Sequence, residues 1–407
     1  MKVEKFDAGR ETIASAPGKS MLSGGFAVLY PKTSGLVLSL DAKFFARISE
    51  STKSEIEILN PQFPSSDFLY KEHECLPRNL FLEASFEVLT HYLKPEGLKC
   101  SAFKVSLFMD SFFFSKSKMS TSSEVSLASI SKTFPRFEVS LFDCPKTGLG
   151  SSACLVVSVV LGVLTFLRSR PAEENEVFWL SWLVTRTVQG SSSGFDVSSA
   201  VYGSQIFSSF ELGDFEAKKN LFWNDLKEFK RQISSFKGPE NRLNFAPDDF
   251  SAIFFDLDRG TKSASFSKKI IEFFSERLKE KDAFNSEITE ITTQLSPLLQ
   301  AKALSENLKV LNKKHHKILS KLSLESHVEV QPEILSRFFE KVLEDFDNGL
   351  WYVISPGAGG FDAFVVLTKS FGKDLEKLNG DLLNYAQEFF KNDTQSMKVS
   401  SFICRVL

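Results

Sequence analysis

Residues with the means to do chemistry are densest in Pro145-Lys146-Thr147-Gly148-Leu149-Gly150-Ser151-Ser152-Ala153, which runs directly into the apolar segment Cys154 to Leu161. Gly148 and Gly150 permit a tight turn and a close backbone approach to a ligand, because neither carries a Cβ. Ser151 and Ser152 fall where a helix should begin. Unpaired amides, hydroxyls and the positive end of the helix dipole can then face one phosphate. Lys146 either adds charge against nucleotide phosphates or sits on the surface. The loop is not a Walker A motif, since no Gly-Lys-Ser/Thr follows its first glycine at the required spacing. A plain glycine-serine turn capping a core helix would have the same composition, so other segments must decide between the two.

Three further segments bear on that choice. Ser15-Ala16-Pro17-Gly18-Lys19-Ser20-Met21-Leu22-Ser23-Gly24-Gly25 stands near the start, Gly190-Ser191-Ser192-Ser193-Gly194-Phe195-Asp196-Val197 follows the glycine loop, and Ser355-Pro356-Gly357-Ala358-Gly359-Gly360-Phe361-Asp362-Ala363 lies near the end. In order and content the four segments resemble the GHMP kinase superfamily and, within it, the eukaryotic phosphomevalonate kinases. The resemblance runs from Ile13 to Leu367, and the stretches between the motifs carry little of it.

That resemblance implies an α+β, two-domain GHMP kinase fold. Its N-terminal domain, residues 1–235, would be like the second domain of a small-subunit ribosomal protein, and its C-terminal domain, residues 236–407, would be ferredoxin-like. The implied activity is ATP- and Mg²⁺-dependent conversion of (R)-5-phosphomevalonate to (R)-5-diphosphomevalonate, a step of the mevalonate route to isoprenoids and sterols. Lys19 and Asp196 are the implied catalytic pair. Lys146, Gly148, Leu149, Gly150, Ser151, Ser152 and Ala153 are the implied nucleotide contacts, with Ser152 also holding the metal. Ser193, Gly194, Gly357, Gly359 and Gly360 are the implied substrate contacts. Each has a plainer role open to it: a helix N-cap for Asp196, a solvated charge for Lys19, a helix-start serine for Ser152, a simple turn for the later glycines. Asp362 is read as structural. Arg78-Asn79 precedes an apolar helix, and nothing in the sequence ties it to a ligand.

Departures from the family pattern point to the acceptor. Alcohol-phosphorylating relatives carry a glutamate where Gly24-Gly25 stands, and a metal-binding glutamate on the helix before the aspartate loop, here Trp182-Leu183-Val184-Thr185-Arg186-Thr187-Val188-Gln189. Neither is present. The aspartate loop is also one residue shorter than the family's and lacks its lysine. The alternatives kept open are mevalonate kinase, diphosphomevalonate decarboxylase, another small-molecule kinase of the superfamily, and a catalytically silent member that senses a metabolite.

Composition fits a globular enzyme. With 407 residues, 43% of them hydrophobic and 25% charged, the chain can bury a large core and is long enough for two domains. A net charge of -2 argues against a nucleic-acid partner. The resemblance implies ATP and a small molecule as partners; no membrane partner is expected, and the expected state is monomeric or weakly dimeric. Five cysteines without a Cys-x-x-Cys pair suggest neither a disulfide scaffold nor structural zinc. Met1-Lys2-Val3-Glu4-Lys5 does not read as a signal peptide, which leads to the expectation of a cytoplasmic protein. The 42 Phe against 6 Tyr read as compositional drift.

The elements that must hold these residues are strands at Thr12–Ala16, Gly35–Leu40, Phe44–Ser49, Ser101–Phe108 and Phe137–Phe142 around a Lys19 loop. Helices follow at Ser151–Leu167 and Val177–Val188. The Ala153–Leu167 run falls short of a bilayer span and suits a helix buried on all sides. Ser111–Lys132 reads as a variable surface loop and Asn224–Asp249 as a connection between domains. A second half alternates a strand at Ala252–Leu257, helices within Ser267–Lys321 and Pro332–Phe346, and strands at Leu350–Ile354 and Ala363–Leu367. His315-His316, inside a lysine run, reads as a solvated helix face.

Overall fold

The computed structural model describes the chain except for residues 8–10, 72, 73, 77, 116–120, 139, 142, 143, 145, 191, 210, 211, 246–248, 258–262, 302–305, 347–349, 362, 370 and 392–397. Asp362 and Ser191 therefore lie outside the described residues.

The first half is built on an eight-stranded sheet. It comprises β1 (Lys2–Asp7), β2 (Glu11–Ser23), β3 (Ser34–Glu50), β4 (Ile56–Leu59), β5 (Phe68–Lys71), β6 (Glu74–Leu76), β7 (Phe103–Met109) and β10 (Gln205–Ser208), the last pairing with β3. A separate hairpin pairs β8 (Thr121–Leu127) with β9 (Lys132–Phe137). Helices α1 (Leu80–Leu93), α2 (Ser151–Arg168) and α4 (Phe195–Tyr202) lie against the sheet, α3 (Glu174–Gln189) packs on those three helices, and α5 (Leu212–Asn224) and α6 (Leu226–Ser234) follow. Asn79 caps α1 through Leu82 N–H, so that asparagine has a structural task. Helix α2 is, among the described residues, the one helix long and apolar enough to cross a membrane by length and composition. In the fold it is a core helix against β2, β3, α1, α3 and α4.

The second half is a four-stranded antiparallel sheet in the order β12-β13-β11-β14. Its strands are β11 (Ser251–Asp256), β12 (Leu350–Ile354), β13 (Ala363–Thr368) and β14 (Ser400–Arg405), with helices α7 (Ser263–Ser275), α8 (Leu278–Gln300), α9 (Glu306–Ser326), α10 (Glu333–Asp345) and α11 (Gly372–Lys391). Every residue of β11 and β13 is buried, because both faces of the sheet are covered. Ala252 and Phe254 face the core shared with the first sheet, whereas Ile253 and Phe255 face a second core with Phe338 and Phe339 of α10 and Leu382 and Ala386 of α11. Phenylalanine fills both cores. Phe338 alone meets Phe339, Phe364, Phe389 and Phe390, so these rings are used as packing units.

Several expectations are corrected. Lys19 lies within β2, not in a loop; Pro17-Gly18 produces a break in register between Pro17 and Lys19 instead of ending the strand. The segments Gly35–Leu40 and Phe44–Ser49 form one strand of 17 residues, β3. The strand expected at Phe137–Phe142 lies earlier and ends at Phe137. Ser111–Lys132 contains β8 and the fully buried Phe113, so it is not simply a surface loop. Within Asn224–Asp249 stands the amphipathic α6, which buries Phe229 and Ile233. His315 and His316 are buried, as set out below.

Candidate active site

Three pieces of backbone meet beside β2. Gly148 and Gly150 both have left-handed φ, +76° and +80°, which glycine adopts without Cβ strain. Gly150 is the N-cap of α2 and no side chain caps this helix, so the first-turn amides keep their donors for a ligand. Ser151 and Ser152 are partly exposed at this end, and Ala153 is buried. Lys19 ties the loop to the strand: its N–H donates to Leu149 O at 3.0 Å and its Nζ to Gly148 O at 3.0 Å. A Cβ on Gly150 would stand 3.0 Å from Lys19 Cγ, so a bare backbone is needed where the lysine crosses.

Asp196 arrives from the other side, in the first turn of α4. Gly194, with φ +83°, is the N-cap there, which frees Asp196 from the capping role. Asp196 Oδ1 accepts from Val197 N–H at 2.9 Å. Burial raises the pKa of its carboxyl, and the Lys19 charge pulls it back. The Lys19 ammonium also lies 5.3 Å from the centre of the Phe195 ring. Cys154, one turn into α2, donates from Sγ to Pro17 O at 3.2 Å. Burial, with Asp196 adding to it, pushes this thiol up to about 12, so it stays protonated and acts as a small apolar residue. Asp196 and Lys19 thus act electrostatically on the same buried thiol.

Ser193 and Gly194 sit in the loop that delivers Asp196. Its Ser192 carbonyl accepts from Trp182 Nε1 at 3.2 Å and Arg186 Nη1 at 2.9 Å. Lys146 is an exposed residue bridged through its backbone to Phe114. The last glycine loop is pinned to β2, where Gly357 N–H donates to Met21 O at 3.1 Å, two residues beyond Lys19. Gly360 N–H donates to Val330 O at 2.9 Å. A Cβ on Gly359 would stand 2.0 Å from Val330 O, and one on Gly25 would stand 1.8 Å from Gly357 O.

The histidine pair backs this loop. His315 Nδ1 pairs with Tyr352 OH at 2.6 Å and His316 Nε2 with Val353 O at 2.7 Å. Burial holds their pKa values at about 3 and about 4, so both rings are neutral. No group of three or more His, Cys, Asp or Glu among the described residues is arranged to hold a metal. Arg186 and Phe195 had no signal in the sequence, because their contacts depend on how α3, α4 and β2 converge.

Comparison with known proteins places this geometry. The family model for the GHMP kinases N-terminal domain matches residues 111–204, which contain the glycine loop, α2, α3 and α4. Phosphomevalonate kinase of Aspergillus fumigatus is 25% identical over 93% of this chain and 90% of its own length. That of Candida albicans is 26% identical over 87% and 88%. The structure of Streptococcus pneumoniae phosphomevalonate kinase in complex with phosphomevalonate and AMPPNP matches with a TM-score of 0.65, covering 91% of this chain and 96% of that one at 17% identity. Fold and matched segment together define a chain with the GHMP kinase fold. Along most of its length it resembles the phosphomevalonate kinases of that superfamily.

Proposed function

We propose that the protein is an ATP-dependent kinase that phosphorylates (R)-5-phosphomevalonate to (R)-5-diphosphomevalonate. The observation that carries this reading is the convergence of Lys19, the Gly148–Gly150 loop and Asp196 at one place, on a chain whose full-length relatives are phosphomevalonate kinases. The uncapped start of α2 offers amides and dipole to the nucleotide phosphates. A phosphate monoester acceptor has a second pKa near 6, by general chemistry, and so presents an anionic nucleophile at neutral pH without a base. Asp196 then orients the acceptor, and Lys19 screens the repulsion between two anionic phosphates and stabilises charge on the transferring group.

The acceptor preference has its own support. Cβ atoms on Gly24 and Gly25 would stand 2.4 Å from Gly35 Cα and 1.8 Å from Gly357 O, so no glutamate fits at either position. A magnesium ion suits the donors present: it keeps waters and phosphate oxygens and needs only one or two protein oxygens, here the partly exposed Ser152 hydroxyl. When bound, it would neutralise nucleotide charge. Gly357, Gly359 and Gly360 would line the acceptor side through their backbone.

ADP release measured in parallel with phosphomevalonate, mevalonate and diphosphomevalonate, with CO₂ scored for the last, tests the proposal. Turnover is expected on phosphomevalonate. Turnover on another acceptor without it would overturn the assignment, and no turnover on any would favour the silent, metabolite-sensing reading.

A further inference from the structure

Two α3 side chains hold the loop that delivers Asp196 at the carbonyl oxygen of Ser192. Its two donors, Arg186 Nη1 at 2.9 Å and Trp182 Nε1 at 3.2 Å, stand four residues apart on α3 and so share a face. Both are braced by one ring of α5. The Arg186 guanidinium lies 4.5 Å from the Phe215 centroid, and Trp182 meets the same ring edge-on at 4.8 Å. The Arg186 side chain is only 13% exposed, and Glu216, at 3.9 Å and 60% exposed, is a weak ionic partner. The guanidinium is therefore fixed between a carbonyl and an aromatic face, an arrangement that suits its planar fork.

From Ser192 the constraint passes down the loop. Gly194 N–H donates to Ser192 Oγ at 3.2 Å, and a Cβ on Gly194 would stand 2.9 Å from the Trp182 indole. Gly194 in turn is the N-cap of α4, with Asp196 in the first turn. The position of the Ser192 carbonyl thus sets where α4 begins and where the carboxylate points. Phe215 lies beyond the segment 111–204 that the family model matches, so α5 supplies a support from outside the matched domain.

We infer that Arg186 is a positioning residue for Asp196, acting through Ser192 and braced by Phe215. The inference rests on the reading of Asp196 as part of a phosphotransfer site. Its test compares wild type with Arg186→Met, Arg186→Lys and Phe215→Leu, using whichever of the three acceptors the wild type turns over, so failure of the substrate assignment leaves it standing. Misplacement of a reacting group by about 1 Å lowers rates roughly 100-fold, and a kcat loss of that order is expected for Arg186→Met. KM values for ATP and acceptor should move by less than about threefold. Added methylguanidinium should restore part of the kcat. Phe215→Leu and Arg186→Lys, which weaken the clamp without removing a cation, should each lower kcat about 10-fold and keep the assay informative if Arg186→Met does not fold. A folded variant with wild-type kcat would overturn the inference. So would a rise in acceptor KM at unchanged kcat, which would put the guanidinium on the substrate itself, or a kcat loss that methylguanidinium does not relieve at all.

Discussion

The two glycine loops that flank β2 have similar composition and opposite physics. At Gly148 the backbone is left-handed and a Cβ would meet nothing within 4 Å, so the residue is glycine for its conformation and for the open face it leaves to a phosphate. At Gly359 the backbone is also left-handed, but a Cβ would stand 2.0 Å from Val330 O; Gly25 is likewise closed off by Gly357 O at 1.8 Å. There the glycines let backbones touch. Gly148 faces space open to a ligand, whereas Gly359 and Gly25 sit at packed joints, one within the second half and the other between the two halves. The first loop should lose function when altered, and the second should lose the fold.

The largest effect expected is on chemistry at the first loop. Lys19→Met removes the cation that binds Gly148 O and faces Asp196. Steady-state ADP release should fall by about 1000-fold, roughly 4 kcal/mol of transition-state stabilisation. Its denaturant midpoint should stay near wild type, because Lys19 is only half-buried. Asp196→Asn separates orienting from proton removal: a base would be worth about 100-fold or more. A loss of about 10-fold or less favours orientation of an acceptor that is already anionic.

Next in size is the fold at the second loop. Gly359→Ala adds left-handed strain and a backbone clash, together on the order of 3 to 5 kcal/mol. Urea denaturation should show it directly. Any residual activity at low temperature should keep a near-normal KM for ATP. A Gly359→Ala protein as stable as wild type would break the comparison.

Smaller again is a pH effect behind that loop. His315 and His316 are neutral when folded, at about 3 and about 4, against 6.5 as the ordinary value. Below pH 6.5 the unfolded chain binds the additional protons, so stability is complete above that pH and is lost as pH falls toward 4. The slope is about 1.4 kcal/mol per pH unit for each ring that charges only on unfolding. Replacing both residues, as His315→Gln with His316→Gln, should flatten this limb in denaturation measured from pH 7 to pH 4. An unchanged slope would sink the assignment.

The first loop was legible in the sequence because glycines of positive φ and a helix-start serine pair leave a local signature. Lys19 is legible by type but not by setting: Pro17-Gly18 reads as a turn, while the fold absorbs it as a bulge in which a Cβ on Gly18 would stand 3.3 Å from Leu149 O. The sequence pattern divides the long strand β3 at Asp41-Ala42-Lys43, since a polar pair interrupts an apolar run. In the structure Asp41 Oδ1 accepts from Arg405 N–H at 2.8 Å, and Leu40 bridges Val406. That partner lies at the far end of the chain and has no local trace. The histidines failed for a related reason: lysines at positions 313, 314 and 317 mark the helix as solvated, while Asn312, His315 and His316 turn toward β12. Periodicity shows that a face exists, and only the tertiary fold shows what covers it.

The smallest effect draws the sharpest line between the two loops. Gly148→Ala places a methyl group in open space at φ +76°, so its stability cost is the left-handed strain alone, about 1 to 2 kcal/mol. That is well below the value for Gly359→Ala, although both residues have nearly the same backbone angle. The methyl would point into the space beside the uncapped start of α2, where a phosphate would approach the amides. KM for ATP should therefore rise by about 10-fold, with a smaller change for the acceptor. If Gly148→Ala instead destabilised the protein as much as Gly359→Ala and left KM for ATP unchanged, the open face would be ordinary surface, and the case for Gly148–Gly150 as the nucleotide loop would fail with it.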